Sequence, residues 1–232
     1  MKGITRRGVF TGFGAGLATA LPFVKGCGEA GSPAAGEPTL DDLTKRKNAD
    51  FYDKEGKFNA AVAKEAYFTL MAYHGFPILP VLRTDEFWAL DFALGRFTEV
   101  GMGGIFYINN QRDNYLLHDI WLLPGQMIPE HWHVKTKDAA PKMEAWLVRY
   151  GMAYIYAEGT PTPGVEKRIP PSHKTCCVAK AEKKVMPGQV VRLEKALMKH
   201  WMMAGPEGAI VTEVATFHDM AGLRFSHPGV KV

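Results

Sequence analysis

The chain has little cysteine, three residues in 232, and two of the three, Cys176 and Cys177, are neighbours. A bridge between adjacent cysteines is strained, because disulfide geometry needs more reach. They read as two small apolar residues, since no further cysteine remains to complete a soft-metal or redox site. A disulfide-stapled scaffold is therefore excluded. Long apolar runs are also missing. The longest candidate, residues 9–23, is too short and glycine-rich for a comfortable membrane span. The formal charge of +4 is small, and no basic cluster marks a nucleic-acid face. No internal repeat is visible. Apolar content of 47% and charged content of 22% are ordinary for one sizeable globular domain with a real core.

The first 28 residues read as a targeting segment. Thr5-Arg6-Arg7-Gly8-Val9-Phe10 resembles a twin-arginine export signal, followed by a Gly/Ala-rich apolar run and Lys25. Val24-Lys25-Gly26-Cys27 loosely resembles a lipoprotein processing site, with Cys27 as the lipidated residue. Export to the periplasm, or anchoring at a membrane, is the expectation. Removal of Lys2, Arg6, Arg7 and Lys25 would leave the mature domain closer to neutral. Residues 29–38 are small, polar and proline-containing, and read as a linker.

Between Leu40 and Tyr73 apolar residues recur at helical spacing, with Asp41 and Asp42 near a start and Gly75 and Pro77 as stops. Residues 39–100 thus form a helical extension with lead-in strands. Beyond about Pro80 short aromatic and branched runs alternate with turn residues. Strands are expected at 87–92, 104–108, 116–123, 143–150, 152–157, 174–179, 190–194, 198–203, 209–214 and 223–225, with another leading into His131. No helix-length segment interrupts them, so the fold is mainly β, a sandwich or barrel rather than a parallel βαβ sheet.

His131-Trp132-His133 is the most informative motif. Histidines two apart on a strand point to one face, and Trp132 points to the other. Glu144 on the next strand and His200 on a later one complete four nitrogen and oxygen donors suited to a divalent transition metal. In Met198-Lys199-His200-Trp201-Met202, period two places His200 on an apolar face, which also suits a satisfied core histidine. Glu213 shares a face with Val211 and Ala215. A carboxylate in an apolar pocket beside a cation can serve as a base, and a solvent-facing strand-edge glutamate is the alternative. Lys142, two residues from Glu144, is placed to polarise a substrate oxygen. His74, His118, His173 and His227 show no partner pattern, although His118 lies in the strand before the motif and can approach the pocket.

Two Pro-Gly turns, at 124–125 and 187–188, each precede a strand that leads to histidine. This arrangement resembles the cupin superfamily and implies a double-stranded β-helix over residues 101–232 with a metal in its mouth. The eleven-residue step from His133 to Glu144 is longer than the usual cupin motif. Pro129-Glu130-His131-Trp132-His133, Lys142-Met143-Glu144, His200-Trp201, the segment Glu213 to Asp219, and Arg224-Phe225 together resemble D-lyxose ketol-isomerases of the cupin type. Ala215-Thr216-Phe217-His218 and Ala221-Gly222-Leu223 depart from that family's pattern, close to the expected sugar site.

The resemblance implies His131, His133, Glu144 and His200 as ligands of Mn²⁺, with Zn²⁺, Fe²⁺ or Co²⁺ as substitutes. It implies Glu213 and Lys142 as the acid–base pair, and His218, Asp219 and Arg224 as contacts to sugar hydroxyls. The activity expected is aldose–ketose isomerisation of a pentose or hexose such as D-lyxose. An iron-dependent dioxygenase and a non-catalytic exported binder of sugar or metal are the alternatives. Cupins commonly pair through sheet edges, so a homodimer is expected.

Overall fold

Thr39 and Asp42 form a reciprocal cap that starts the first helix, α1 (Leu40–Thr44): the Thr39 amide donates to the Asp42 carboxylate at 2.9 Å and the Asp42 amide to Thr39 Oγ1. The second helix, α2 (Ala60–Tyr73), starts on Asn59, whose side chain accepts from the Val62 amide. It ends where Gly75 adopts φ +65°, so that the Gly75 amide reaches Ala72 O and the Phe76 amide reaches Met71 O. The computed structural model describes residues 36–232. The export-signal and lipid-anchor readings, and most of the linker, lie outside the described residues.

Nine strands follow: β1 (Trp88–Leu90), β2 (Met102–Asn110), β3 (Tyr115–Leu122), β4 (Met127–His133), β5 (Glu144–Ala157), β6 (Ala181–Val185), β7 (Val190–Arg192), β8 (His200–Ala215) and β9 (Leu223–Phe225). Every pairing between them is antiparallel. The central element is β8. Its first part pairs with β4 and its last part with β3, while β5 runs along its other edge from Ala157 opposite His200 to Glu144 opposite Ala215. The short strands β1, β9, β6 and β7 extend these rows.

Period two sorts the side chains. Met102, Phe106, His118, Ile120, Trp146, Val148, Val211 and Glu213 fall in the inward phase, and the inner apolar cluster is built largely from it. Ile105, Trp121 and Ile210 fall in the other phase. They pack against Tyr67, Leu70 and Met71 of α2 and against Phe76, Phe87 and Phe97. The helical extension therefore covers the outside of the sheet and leaves the inner cavity to the strand residues.

Three expectations need correction. The separate strands at 143–150 and 152–157 are one strand, β5, and those at 198–203 and 209–214 are one strand, β8. Tyr150-Gly151 and Gly205-Pro206-Glu207-Gly208, which as sequence read as turns, are absorbed as register slips instead. The β5–β8 pairing steps from Gly151–Ala209 to Ala153–Ala204, and a Cβ on Gly151 would lie 2.2 Å from Gly208 O. The strand expected at 174–179 does not form. The amides of Val178 and Ala179 donate to the buried Glu130 carboxylate at 2.8 and 2.6 Å, so they are taken from any ladder. Ser226 donates to the other Glu130 oxygen, which ties this loop to the segment after β9. Strand β6 was not expected. Its sequence Ala-Glu-Lys-Lys-Val lacks alternation because it is an edge strand with exposed lysines. Cys177 is buried and Cys176 half-buried, and both are free thiols, as two small apolar residues should be.

The same loop carries a buried histidine away from the cavity. Burial, then His227 and Arg96, pushes the His173 imidazole down to about 4. Below its ordinary value of about 6.5 the unfolded chain takes up a proton that the folded one does not. This stability is present above pH 6.5 and is lost as the pH falls towards 4. Urea midpoints measured across that window should fall by the equivalent of about 1 kcal/mol more in the wild type than in His173→Asn, after allowance for solvent screening.

Candidate active site

His131 and His133 project from β4, Glu144 opens β5, and His200 opens β8 opposite His131 in the ladder. One donor atom from each lies within 4.8 Å of the others, and three of the four residues are buried. The imidazole centroids of His131 and His200 are 4.2 Å apart, and those of His131 and His133 are 5.4 Å apart. The Nδ1 atoms of His131 and His200 each sit 2.9 Å from a backbone carbonyl, Pro129 O and Met198 O. Assigned as donors there, they leave both Nε2 lone pairs facing the common centre.

The buried atoms at that centre have no hydrogen-bond partner. His200 Nε2, both ring nitrogens of His133 and Glu144 Oε2 are all orphaned. His200 Nε2 approaches Glu144 Oε2 at 3.0 Å without hydrogen-bond alignment. Orphaned buried polar atoms are costly. Three imidazoles and one carboxylate aimed at one point would be relieved by a divalent cation of borderline softness, so the cluster can hold a metal. Trp132 points away from the centre, and Lys199 Nζ lies 4.6 Å above its ring.

A second charged chain abuts the first. Lys142 Nζ donates to Glu144 Oε1 at 2.8 Å and, at short range, to Glu213 Oε1. The other Glu213 oxygen is 3.0 Å from His118 Nδ1. Burial alone would raise the Glu213 carboxyl, but Lys142 and then His118 outweigh it and hold it below the usual range. Burial would likewise raise Glu144, and Lys142, His200 and His133 hold it well below. Burial would lower the Lys142 ammonium, yet the two carboxylates raise it above its ordinary value. His200 is raised by Glu144 against the pull of burial. His131 is pushed well down, by burial first and then by His200 and His133, which keeps its imidazole neutral and its lone pair available.

Both chains open on one cavity of about 240 Å³. His131, His133, Glu144, His200, Lys142, Glu213 and His218 all line it. The His218 ring sits 5.4 Å from Phe106 and 5.3 Å from His133, and the Asn109 side chain fixes its backbone from both sides. Burial, with Lys142 and His133 adding, pushes His218 down to about 3.

Asp219 and Arg224 do not line the cavity, contrary to expectation. The Asp219 carboxylate accepts from Thr136 Oγ1 at 2.7 Å and from the Ala221 amide at 2.9 Å, which joins two loops. Arg224 lies between Leu223 and Phe225 on β9. Those two face the cavity, so period two turns Arg224 outward, where it is exposed and donates to Ala221 O and Leu223 O.

The residue given too little weight is His118. It is buried, lines the cavity and partners Glu213. Its inward phase with Ile120 was the available signal. Gly104 makes room for it: a Cβ there would lie 2.6 Å from His118 Nε2 and 2.4 Å from the Trp88 ring. Gly104→Ala should cost about 1–3 kcal/mol and displace His118. Thermal unfolding checks the first effect, and the chemical shifts of labelled histidine check the second.

The chain is thus an antiparallel β protein with a three-histidine, one-carboxylate donor set brought together by β4, β5 and β8, the arrangement that the cupin resemblance leads one to expect. No family model matches the chain. It is 33% identical over 141 residues to the D-lyxose/D-mannose isomerase of Thermosediminibacter oceani, covering 61% of this chain and 76% of that protein. It is 34% identical over 126 residues to the D-lyxose ketol-isomerase of Cohnella laeviribosi, covering 54% of this chain and 68% of that one. The chain belongs to the D-lyxose ketol-isomerase family. In fold it is similar to L-ribose isomerase of Cellulomonas parahominis (TM-score 0.59, 12% identity, 77% of this chain and 94% of that one). It is also similar to L-ribose isomerase of Acinetobacter sp. DL28 (TM-score 0.55, 14% identity, 74% and 90%).

Proposed function

We infer that the protein is a metal-dependent aldose–ketose isomerase acting on a pentose or hexose, with D-lyxose and D-mannose as the first candidates from its relatives. The observation that carries this reading is the Glu213 carboxylate, buried on the cavity wall, ion-paired to Lys142 and one residue removed from the donor set through Glu144. A buried carboxylate that faces the cavity beside the donor set is placed to accept a proton from a molecule bound there.

His131, His133, Glu144 and His200 would hold the metal, for which we propose Mn²⁺, with Zn²⁺, Fe²⁺ or Co²⁺ able to replace it. When bound it supplies a Lewis acid at the carbonyl end of an open-chain sugar. Glu213 takes the proton from C2 of the aldose and returns it to C1. Lys142 keeps Glu213 ionised before transfer, and its third N–H can give a proton to O1 while the same nitrogen takes back the proton leaving the C2 hydroxyl, so the second proton shift also balances. His118 fixes the second Glu213 oxygen, so the first keeps one orientation. Trp88, Phe106 and Trp146 wall the cavity and limit water around the exchanging proton.

The non-catalytic binder reading would be favoured by a Glu213 turned away from the pocket, and it is turned in. The dioxygenase reading has no feature of its own here. Purified protein loaded with Mn²⁺ and incubated with D-lyxose, D-mannose and L-ribose should form the corresponding ketoses without oxygen uptake. Absence of ketose from all three, with metal bound, would refute the isomerase. We further propose that the Arg6-Arg7 segment directs export and that the mature chain works as a homodimer in the periplasm or at a membrane. The arginine pair and its apolar run support the first part.

A further inference from the structure

We propose that His218 is a positioning residue for the metal site: its Nδ1 accepts a hydrogen bond from the Nδ1–H of His133 and so fixes which nitrogen of His133 faces the donor centre. The proposal rests on the reading of His131, His133, Glu144 and His200 as the donor set. His131 and His200 each anchor Nδ1 on a backbone carbonyl, Pro129 O and Met198 O, at 2.9 Å. His133 has no such anchor. Its Nε2 faces Glu144 Oε1 at 3.4 Å, on the side of the common centre. A lone pair directed there leaves the hydrogen on Nδ1. That nitrogen is buried and has no acceptor. A buried donor without a partner is costly, and a ligating imidazole almost always gives its second N–H to an acceptor.

His218 has the complementary defect. Its Nε2 lies 3.0 Å from Met220 Sδ, and a thioether only accepts, so Nε2 carries the hydrogen. The neutral ring then bears its lone pair on Nδ1, which is buried and has no donor. The two rings stand 75° apart in plane with centroids 5.3 Å apart, a spacing that one N–H···N bond can span after a small turn of either ring. The loop that carries His218 is fastened to the end of β4 where His133 sits. The Val134 amide donates to Gly222 O at 2.8 Å, and Thr136 Oγ1 donates to the Asp219 carboxylate at 2.7 Å. Asn109 holds the His218 backbone from both sides, and the Phe106 ring packs at 5.4 Å. With its Nδ1 enclosed by protein, His218 serves the neighbouring imidazole rather than a sugar hydroxyl.

Two measurements on the full chain test this, and neither uses turnover. The first is the Mn²⁺ dissociation constant by equilibrium dialysis. His218→Phe keeps a ring of similar shape without an acceptor and should weaken binding about 10–100-fold. His218→Asn places a carbonyl oxygen near the position of Nδ1 and should restore most of that loss. Equal affinity in the wild type and His218→Phe, or His218→Asn as weak as His218→Phe, would overturn the proposal. The second is NMR of Zn²⁺-loaded wild type carrying isotope-labelled histidine. The His133 Nδ1–H should resist exchange with water and show coupling across the hydrogen bond to His218 Nδ1. Absence of that coupling would overturn the proposal even if both variants failed to fold. If the wild type takes up no metal, the donor-set reading fails. The same coupling in metal-free protein then decides the inference: its presence supports the pairing and its absence overturns it.

Discussion

His131→Ala/His133→Ala should bring bound metal from about one equivalent per chain to less than a tenth. Ketose formation should fall by a factor of about 10³ or more, as expected when a Lewis acid supplies several kcal/mol of the barrier lowering. The structure explains why the loss should be so complete. The pair occupies one face of β4 and provides half of the donors, and only Glu144 and His200 remain without it. Glu144 stays paired to Lys142, so the variant retains its buried ion pair and should fold. Two measurements keep loss of metal apart from loss of fold. Elemental analysis of protein purified without chelator reports stoichiometry. Thermal unfolding with and without added Mn²⁺ reports linkage: at a concentration one hundred times the dissociation constant a folded-state ligand stabilises by about 2.7 kcal/mol. The wild type should show that rise and the double variant should not. A variant that still takes up one equivalent would refute the assignment of these four residues.

Glu213→Gln should lower kcat by about 10²–10⁴-fold with metal content unchanged, the range expected for a positioned acid–base group. The amide keeps the shape, and its oxygen can still accept from Lys142 or from His118. The change therefore removes the proton acceptor with little effect on packing. Glu213→Asp should recover part of the rate, because it restores the carboxylate at a shorter reach. Solvent-isotope incorporation at C2 of recovered aldose is the sharper readout, and Glu213→Gln should suppress it along with turnover. Persistence of exchange at the wild-type rate would move the base elsewhere, with Lys142 or His118 the nearest groups.

The sequence and the structure agree where residue phase decided the matter and part where it was overlooked. His131 and His133 could be placed on one face because a strand alternates. Glu144 could be placed near them because it precedes an apolar run, and His200 because it shares an apolar face with Met198 and Met202. The same alternation would have turned Arg224 outward, since Leu223 and Phe225 on either side had to face the core. It would also have turned His118 inward with Ile120. The two-part division of β5 and β8 followed from reading glycine as a turn. Only the neighbouring strand decides whether a positive φ makes a hairpin or a slip, and that neighbour is distant in sequence. The absence of a strand at 174–179 depends on Glu130, 48 residues away from Val178 in the chain. The polar edge strand β6 had no apolar face to betray it.

The continuity of β8 has a consequence for how such a protein can diversify. The strand begins at His200 and reaches Glu213, so one proposed donor and the proposed proton acceptor ride on a single run of backbone, separated by the slip around Gly205 to Gly208. One residue added or removed in that interval must be absorbed by the slip, for otherwise Glu213 turns to the opposite side of the sheet while His200 stays where it is. The chemistry is thus sensitive to length at one place.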